Sequence, residues 1–396
     1  MKKVIILMPS MFIGGAERSL LGLLETIDYS QYDVSLFLYR HEGEFLKFIP
    51  DQVHLLPEML QYRTFDTPIR SLLSGRQIRF GLRRLLSKVA MWLHTKTTGE
   101  KRGVWMSMQY TARFLQPLLP DIPGEYDLGI MFLGIADTLI NKVQAKKKIT
   151  WNHTDYDTLF PNRSMDLETY SKVDAVVSVS PACTEKVRAF YPELANKAIT
   201  IENTLAGQFI EQCAKEPQND MPSEESTVLL SIGRFCDAKN FDNVPDICRR
   251  LVADGLDVKW YLIGYGGDEP LIRQKIAEAE MQDRVIILDK KDNPYPYMRA
   301  CDLYVQPSRY EGKAVTVREA QMLGKPVVIT NYATSASQLE DGVDGVIVPL
   351  DNAGCAVGIA ALLRDPARMQ ELSENCKKRD YTNSAEVKKI YALMED

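Results

Sequence analysis

The sequence is poor in the side chains that build metal and disulfide sites. Its 396 residues include 4 histidines and 7 cysteines, an odd number with no Cys-x-x-Cys pair. This pattern disfavours a disulfide framework or a zinc site and is typical of a reducing compartment. We therefore expect a cytoplasmic protein without a bound metal.

An excess of one charge and a long apolar run are also missing. The chain has 48 Lys and Arg against 53 Asp and Glu, a formal net charge of −5, so no global positive field indicates a nucleic-acid partner. No uncharged apolar stretch approaches the roughly 18 residues that a membrane-spanning helix needs. The apolar run at residues 4–8 is too short for a signal peptide and favours a buried first strand.

What the sequence does contain is a regular alternation of short β-branched runs with helical stretches. Strands are predicted at residues 4–8, 34–39, 53–56, 128–133, 148–152, 175–180, 199–201, 228–232, 258–263, 285–288, 303–306, 327–330 and 346–348. Continuous apolar runs indicate strands covered on both faces, hence parallel sheets with helices on either side. The length favours two domains. We predict an α/β fold of two Rossmann-like, doubly wound domains facing each other across a cleft, with ligands at the carboxyl ends of the strands.

The domain boundaries follow from a polar stretch at residues 212–226, which is typical of a linker or a surface excursion. We place the first domain at residues 1–205, the second at 206–380 and a C-terminal helix at 381–396.

A segment without strands, at about residues 62–116, predicts a helical insert in the first domain. Its apolar positions recur at helical spacing and are Ile78, Leu82, Leu85, Leu86, Val89 and Leu93. The basic positions assigned to the opposite arc are Arg76, Arg79, Arg83, Arg84 and Lys88. Two interpretations remain open: a helical hairpin docked on the domain with a solvated basic face, or an interfacial helix whose basic residues rest on anionic lipid.

Two motifs in the first half follow predicted strands. Gly14 and Gly15 precede a helix beginning near Ala16, where free backbone N–H groups attract anionic or oxygen-rich ligands, although the pair also suits a simple tight turn. His153 lies at the end of another strand, where a parallel sheet delivers side chains to a ligand, or where a structural histidine could lie. Asp155 opens an Asp-x-Asp triplet, which is a weak signal by itself.

Two further motifs follow strands of the second half. Arg234 and Lys239 could clamp a diphosphate, although surface cations are common there. Glu311 and Glu319 lie on either side of a helix start near residue 314 or 315, where backbone N–H groups could face a phosphate or a sugar. The two carboxylates could bind hydroxyl groups of one extended ligand.

Taken in order, these motifs resemble the retaining, nucleotide-sugar-dependent glycosyltransferases of the GT-B fold, family four, also called glycosyl transferases group 1. The resemblance is carried by Gly-Gly-Ala-Glu, Trp-x-His-x-Asp, Gly-Arg-x(4)-Lys and Glu-x(7)-Glu, and it covers essentially the whole chain. Bacterial members that build capsular or exopolysaccharide are the most similar. The resemblance implies a hexose-type donor, a UDP-sugar in our expectation, and a saccharide or lipid-diphosphate-linked oligosaccharide acceptor.

The resemblance also implies site roles. Arg234 and Lys239 would neutralise the leaving diphosphate, Glu311 would face the anomeric region, Glu319 would hold the ribose, and His153 would bond a donor-sugar hydroxyl. The catalytic set would be Glu311, His153, Arg234 and Lys239. The donor-binding set would be Gly15, Arg234, Lys239, Gly264, Glu311, Gly312, Lys313, Ala314, Val315, Thr316 and Glu319. The acceptor-binding set would be Gly14, Glu17, His153 and Asp155.

No cofactor beyond the nucleotide-sugar co-substrate, and no metal, is implied, because the cations and the helix start would replace it. The family further implies that the C-terminal helix packs back on the first domain. Lys313 departs from the aromatic or small apolar residue of many members, so the donor sugar stays open. The basic insert could dock at the inner face of the cell membrane. Alternatives are a GT-B sugar-nucleotide epimerase and a non-catalytic GT-B binding protein.

Overall fold

The computed structural model describes residues 1–153, 159–217, 220–221, 226–311 and 314–395. The chain divides into two compact units. The first combines Met1–Ala206 with Asn383–Asp396, and the second is Gly207–Thr382.

The first unit is built on a parallel sheet of seven strands. They are β1 (Lys2–Met8), β2 (Tyr32–Leu38), β3 (His54–Leu55), β4 (Glu125–Met131), β5 (Gln144–Asn152), β6 (Ala175–Ser178) and β7 (Ala198–Thr200). Their order is β3-β2-β1-β4-β5-β6-β7, and every neighbouring pair is parallel. The helices are α1 (Gly15–Thr26), α2 (Ile69–Ser74), α3 (Ile78–Thr98), α4 (Val104–Leu115), α5 (Asp137–Lys142), α6 (Arg163–Tyr170) and α7 (Pro181–Phe190).

The second unit repeats the plan with six strands. Its first helix is α8 (Gly207–Cys213). The strands are β8 (Thr227–Ile232), β9 (Val258–Ile263), β10 (Val285–Ile287), β11 (Leu303–Gln306), β12 (Val327–Thr330) and β13 (Val346–Val348), in the parallel order β10-β9-β8-β11-β12-β13. The other helices are α9 (Val244–Ala253), α10 (Glu269–Glu278), α11 (Tyr295–Ala300), α12 (Val315–Met322), α13 (Asn352–Leu363) and α14 (Pro366–Lys377).

The two parallel-sheet units confirm the predicted α/β class. Each predicted strand overlaps an observed strand, with ends shifted by a few residues. The physical reason is visible in β1, where the adjacent residues Ile5 and Ile6 point to opposite faces and are both fully buried. Helices therefore cover both sides of this sheet.

The end of the chain packs on the first unit through α15 (Val387–Ala392). The Tyr391 ring stacks on Tyr32 with centroids 4.1 Å apart, and the backbone N–H of Asp28 donates to the Tyr391 hydroxyl at 2.9 Å. Lys2 also donates from Nζ to the carbonyl oxygen of Met394 at 3.1 Å. These contacts fix the segment against β2 and the turn before it.

The helical insert is oriented differently from the prediction of an apolar face docked on the domain. Its apolar positions are 46–52% exposed at Ile78, Leu82, Leu85, Leu86, Val89 and Leu93. The buried positions of α3 are instead Gly81, Ser87 and Thr95. Small side chains allow close packing, since a β-carbon at position 81 would lie 2.9 Å from Cδ2 of Leu73 in α2.

The basic residues of the insert do not form one solvated arc either. Arg76, Arg79 and Lys88 are exposed and Arg83 is partly exposed. Arg84 turns inward and donates to the carbonyl oxygens of Thr64, at 2.9 Å, and Thr67. Burial lowers the pKa of this guanidinium, and its two carbonyl partners lie in the segment just before α2. Among the described residues, no helix has the length and apolar character to cross a bilayer.

Candidate functional site

Two loops that carry predicted site residues meet at the carboxyl edge of the second sheet. Strand β8 lies between β9 and β11, so the chain leaves β8 toward one side of the sheet and later returns on the other. Such a topological switch point opens a crevice where α/β proteins bind ligands. The loop after β8 carries Lys239 and the loop after β11 carries Glu311.

Lys239 and Glu311 form a largely buried ion pair in this crevice. Nζ of Lys239 donates to Oε1 of Glu311 at 2.5 Å, and the two side chains are 19% and 10% exposed. Ser308 donates from Oγ to the same carboxylate oxygen at 2.6 Å, and its Oγ accepts from Nε2 of Gln306 at 3.0 Å. The carboxylate is therefore oriented by a hydrogen-bonded chain that begins on the buried end of β11.

Residues that the sequence analysis did not single out fasten the two loops together. Arg309 donates to both carboxylate oxygens of Asp242 at 2.9 and 2.7 Å, and hydrogen bonding to Asp242 raises the pKa of the guanidinium. Asn240 donates from Nδ2 to the carbonyl oxygen of Pro307 at 2.8 Å. Its φ of 59° is left-handed, a conformation that asparagine tolerates. An Asn directly after the candidate Lys was the one signal for this turn.

The glycines beside this site serve backbone packing. A β-carbon at Gly264 would lie 1.8 Å from the carbonyl oxygen of Gly233, and one at Gly266 would lie 2.1 Å from that of Phe235. The loop after β9 thus lies directly against the loop after β8. Arg234, between these contacts, has an exposed side chain. Gly264 was predicted to contact the nucleotide-sugar donor, and the structure gives a separate reason for glycine at this position, which is the close packing of the two loops.

The helix predicted after β11 begins at Val315, but its first N–H groups are partly used within the unit. The N–H of Ala314, which was predicted to bind the nucleotide-sugar donor, already donates a hydrogen bond to Oε1 of Gln338 at 2.8 Å. Val315 is exposed and Thr316 is partly exposed. Glu319 is 1% exposed, and its Oε1 accepts from the Tyr295 hydroxyl at 2.8 Å.

Three predicted site residues lie outside the described part of the chain. They are Asp155, Gly312 and Lys313. Within the described ranges, no group of three or more His, Cys, Asp or Glu side chains is arranged to hold a metal ion.

In the first unit, the Gly-Gly motif is explained in part by Glu17. A β-carbon at Gly14 would lie 2.1 Å from Oε2 of Glu17, so the carboxylate folds back over the start of α1. A negative charge is favoured at a helix N-terminus, while burial raises the pKa of the carboxyl group. Gly15 is exposed and has open space around it. Of the two glycines, Gly15 has the more exposed backbone.

His153 follows the carboxyl end of β5 and has a defined tautomer. Nε2 lies 2.9 Å from the carbonyl oxygen of Phe132, which can only accept, so Nε2 carries the proton. The ring packs beside Phe132 and Trp151, with centroids 4.7 and 6.3 Å away. Burial lowers the pKa of His153 to about 4. Nδ1 is a buried acceptor with no partner among the described residues.

A cavity of about 300 Å³ lies in the same unit, between the carboxyl edge of the sheet and the insert. Its wall is mainly apolar, with Phe65, Val104, Met108 and Ile135. Asp66 and Arg84 add one acidic and one basic group. Its composition suits a small organic ligand with a few polar groups.

The architecture is that of the GT-B fold, which solved structures support. Over 100% of both chains it resembles the Anabaena protein HepE in complex with UDP, with a TM-score of 0.56 at 16% identity. It also resembles a mutant of S. aureus TarM in complex with fondaparinux, α-GlcNAc-glycerol and UDP, with a TM-score of 0.62 at 13% identity over 100% of both chains. At these identities the likeness shows the fold.

The second unit matches the model of a known family. The model of the family "Glycosyl transferases group 1" matches residues 214–379, nearly all of that unit. A curated relative is the lipopolysaccharide core biosynthesis glycosyltransferase LpsE of Rhizobium meliloti, 24% identical over 217 residues, which are 54% of this chain and 60% of LpsE. The chain spans about half the length of the curated relatives it matches.

Proposed function

We propose that the protein is a glycosyltransferase that moves a hexose-type sugar from a nucleotide diphosphate sugar to a saccharide acceptor in cell-surface polysaccharide synthesis. The observation that carries the proposal is the Lys239–Glu311 pair at the switch point of a family-matched unit. The name of LpsE supports a role in polysaccharide synthesis, and UDP in the complexes of HepE and TarM supports a UDP-sugar donor.

On the donor side, the proposal assigns charge neutralisation to two cations. The ammonium group of Lys239 has three N–H donors, so it keeps Glu311 with one and offers others to the diphosphate. The exposed guanidinium of Arg234 donates two N–H bonds to two other oxygens of the diphosphate. Together they stabilise the charge that develops on the leaving group, without a metal ion.

Glu311 then binds the sugar. Its two bonds from Lys239 and Ser308 both fall on Oε1, and in the proposal Oε2 accepts a sugar hydroxyl near the anomeric carbon. The anomeric C–O bond to the phosphate breaks, and a C–O bond to the acceptor hydroxyl forms on the same face. The acceptor proton passes to the leaving phosphate oxygen, so anomeric configuration is retained without a protein nucleophile.

In the first unit, we assign ligand contacts to two residues. Nδ1 of His153, fixed as an acceptor by the Phe132 carbonyl, takes a hydrogen bond from a ligand hydroxyl. Gly15 offers accessible backbone at the start of α1. The acceptor is a saccharide, free or linked to a lipid diphosphate, and the reaction takes place in the cytoplasm.

The test begins with thermal shifts in UDP, GDP, ADP and CMP. We expect UDP to raise the melting temperature, because ligand at 100 times its dissociation constant adds about 2.7 kcal/mol of stability. Lys239→Ala should lose this shift, whereas Lys275→Ala should keep it, since Lys275 forms an exposed ion pair with Glu278 in the same unit. A flat panel, or an equal UDP shift in Lys239→Ala, would contradict the donor site. If the rate of UDP release from a UDP-sugar does not increase when a saccharide acceptor is added, the proposed sugar transfer would be contradicted.

A further inference from the structure

Helix α3 of the insert turns a row of large apolar side chains to the outside. The helix has 21 residues and is about 31 Å long at 1.5 Å per residue. We call the row the outer stripe; its members, each 44–52% exposed, are Ile78, Leu82, Leu85, Leu86, Val89, Trp92 and Leu93. Spacings of three, four and seven residues keep these side chains on one side of the helix.

The packing of α3 explains why the stripe is left outside. Gly81, Ser87 and Thr95 form its buried side, and Gly81 packs within van der Waals contact of Leu72 and Leu73 in α2. Single exposed apolar residues are common, but a contiguous row of this length marks an interaction surface in a water-exposed protein.

The charge around the stripe indicates what it meets. Residues 67–99 contain seven basic residues and no acid, although the whole chain carries a net charge of −5. Arg79, Lys88 and Lys96 are exposed on α3 itself. Lys96 Nζ lies 5.0 Å from the centroid of the Trp92 ring, so a cation and an amphipathic aromatic lie together at the end of the stripe.

A basic margin around an apolar row matches an anionic lipid surface. A second copy of the chain is disfavoured, because a two-fold contact through α3 would place two copies of a segment with seven basic residues and no acid against each other. Phospholipid headgroups supply negative charge, and the acyl boundary accepts leucine, valine and tryptophan side chains.

We propose that the outer stripe docks the first unit on an anionic phospholipid bilayer. Helix α3 lies in the plane of the headgroups, with the stripe inserted toward the acyl chains and Arg79, Lys88 and Lys96 at the phosphates. In the sequence-based hypothesis, a basic face of the helix met the lipid and the apolar face met the domain. In the structure the apolar stripe faces outward with basic side chains beside it, so both meet the lipid. The inference does not depend on transferase activity, since docking needs no donor.

The experiment is co-sedimentation of the full chain with two kinds of vesicle, pure phosphatidylcholine and phosphatidylcholine containing a third of phosphatidylglycerol. The stripe variant is Leu82→Ser, Leu86→Ser and Val89→Ser. The matched control removes two leucines and one valine that are exposed in the second unit, by Leu271→Ser, Leu350→Ser and Val357→Ser. Because all six positions are exposed, both variants should fold, which circular dichroism checks.

We expect wild type and control to bind the anionic vesicles and the stripe variant to bind about tenfold more weakly or worse. Arg79→Gln with Lys88→Gln should weaken binding to anionic vesicles alone, in a salt-dependent way. Absence of wild-type binding, or equal binding by the stripe variant, would overturn the proposal. A wild-type dimer that the stripe variant converts to a monomer would assign the stripe to a second copy instead.

Discussion

The Lys239–Glu311 pair should couple two loops of the second unit energetically. Unit charges 4 Å apart attract by about 4 kcal/mol at an effective dielectric constant of 20. Desolvation of two side chains that are 19% and 10% exposed offsets part of this attraction. About 2 kcal/mol should remain, as is usual for a hydrogen bond between charged groups. We therefore expect Lys239→Ala and Glu311→Ala together to destabilise the protein by about 2 kcal/mol less than the sum of the single changes.

The assay is a double-mutant cycle on urea unfolding, run beside the same cycle for Lys275 and Glu278. That control pair lies in the same unit with side chains 45% and 48% exposed, so its coupling should be too small to resolve. A Lys239–Glu311 coupling as small as the control would refute the inference that the pair joins the loops. Both site variants should also lower turnover by about 10²–10³ while keeping native circular dichroism.

Two further predictions concern stability. His153 has a folded-state pKa of about 4 against about 6.5 in the unfolded chain, so between these pH values the unfolded chain binds one more proton. Stability therefore falls as the pH drops through this window, by at most about 1.4 kcal/mol per pH unit. Urea unfolding of His153→Gln should show a shallower pH dependence, and equal slopes would argue against a neutral buried imidazole. Gly264→Ala should destabilise the protein by about 3 kcal/mol or more, because its β-carbon meets the Gly233 carbonyl at 1.8 Å, whereas Gly267→Ala, with no atom within 4 Å, should leave the melting temperature nearly unchanged.

Strands and helix starts were predictable because burial on both faces of a parallel sheet requires continuous apolar runs, and such runs are visible in a single sequence. The run at β1 and the strand–Gly–Arg pattern at β8 are examples. The site was predictable only as separate residues. Lys239 meets Glu311, 72 positions further along the sequence, because the sheet order places β8 beside β11. The clamp of Arg309 on Asp242 had no sequence signal, because surface ion pairs of this kind are frequent.

The insert shows why periodicity alone gives the wrong side of a helix. A helical repeat identifies an apolar stripe, but the same repeat occurs whether the stripe meets a core or another surface. The additional signal was the set of small residues between the apolar positions, Gly81, Ser87 and Thr95, which allow close packing on the buried side. Arg84 also lies on that side, and the carbonyls of Thr64 and Thr67 satisfy its guanidinium. An arc of small residues with one inward arginine therefore indicates the docked face of α3, and the apolar arc is left for a partner.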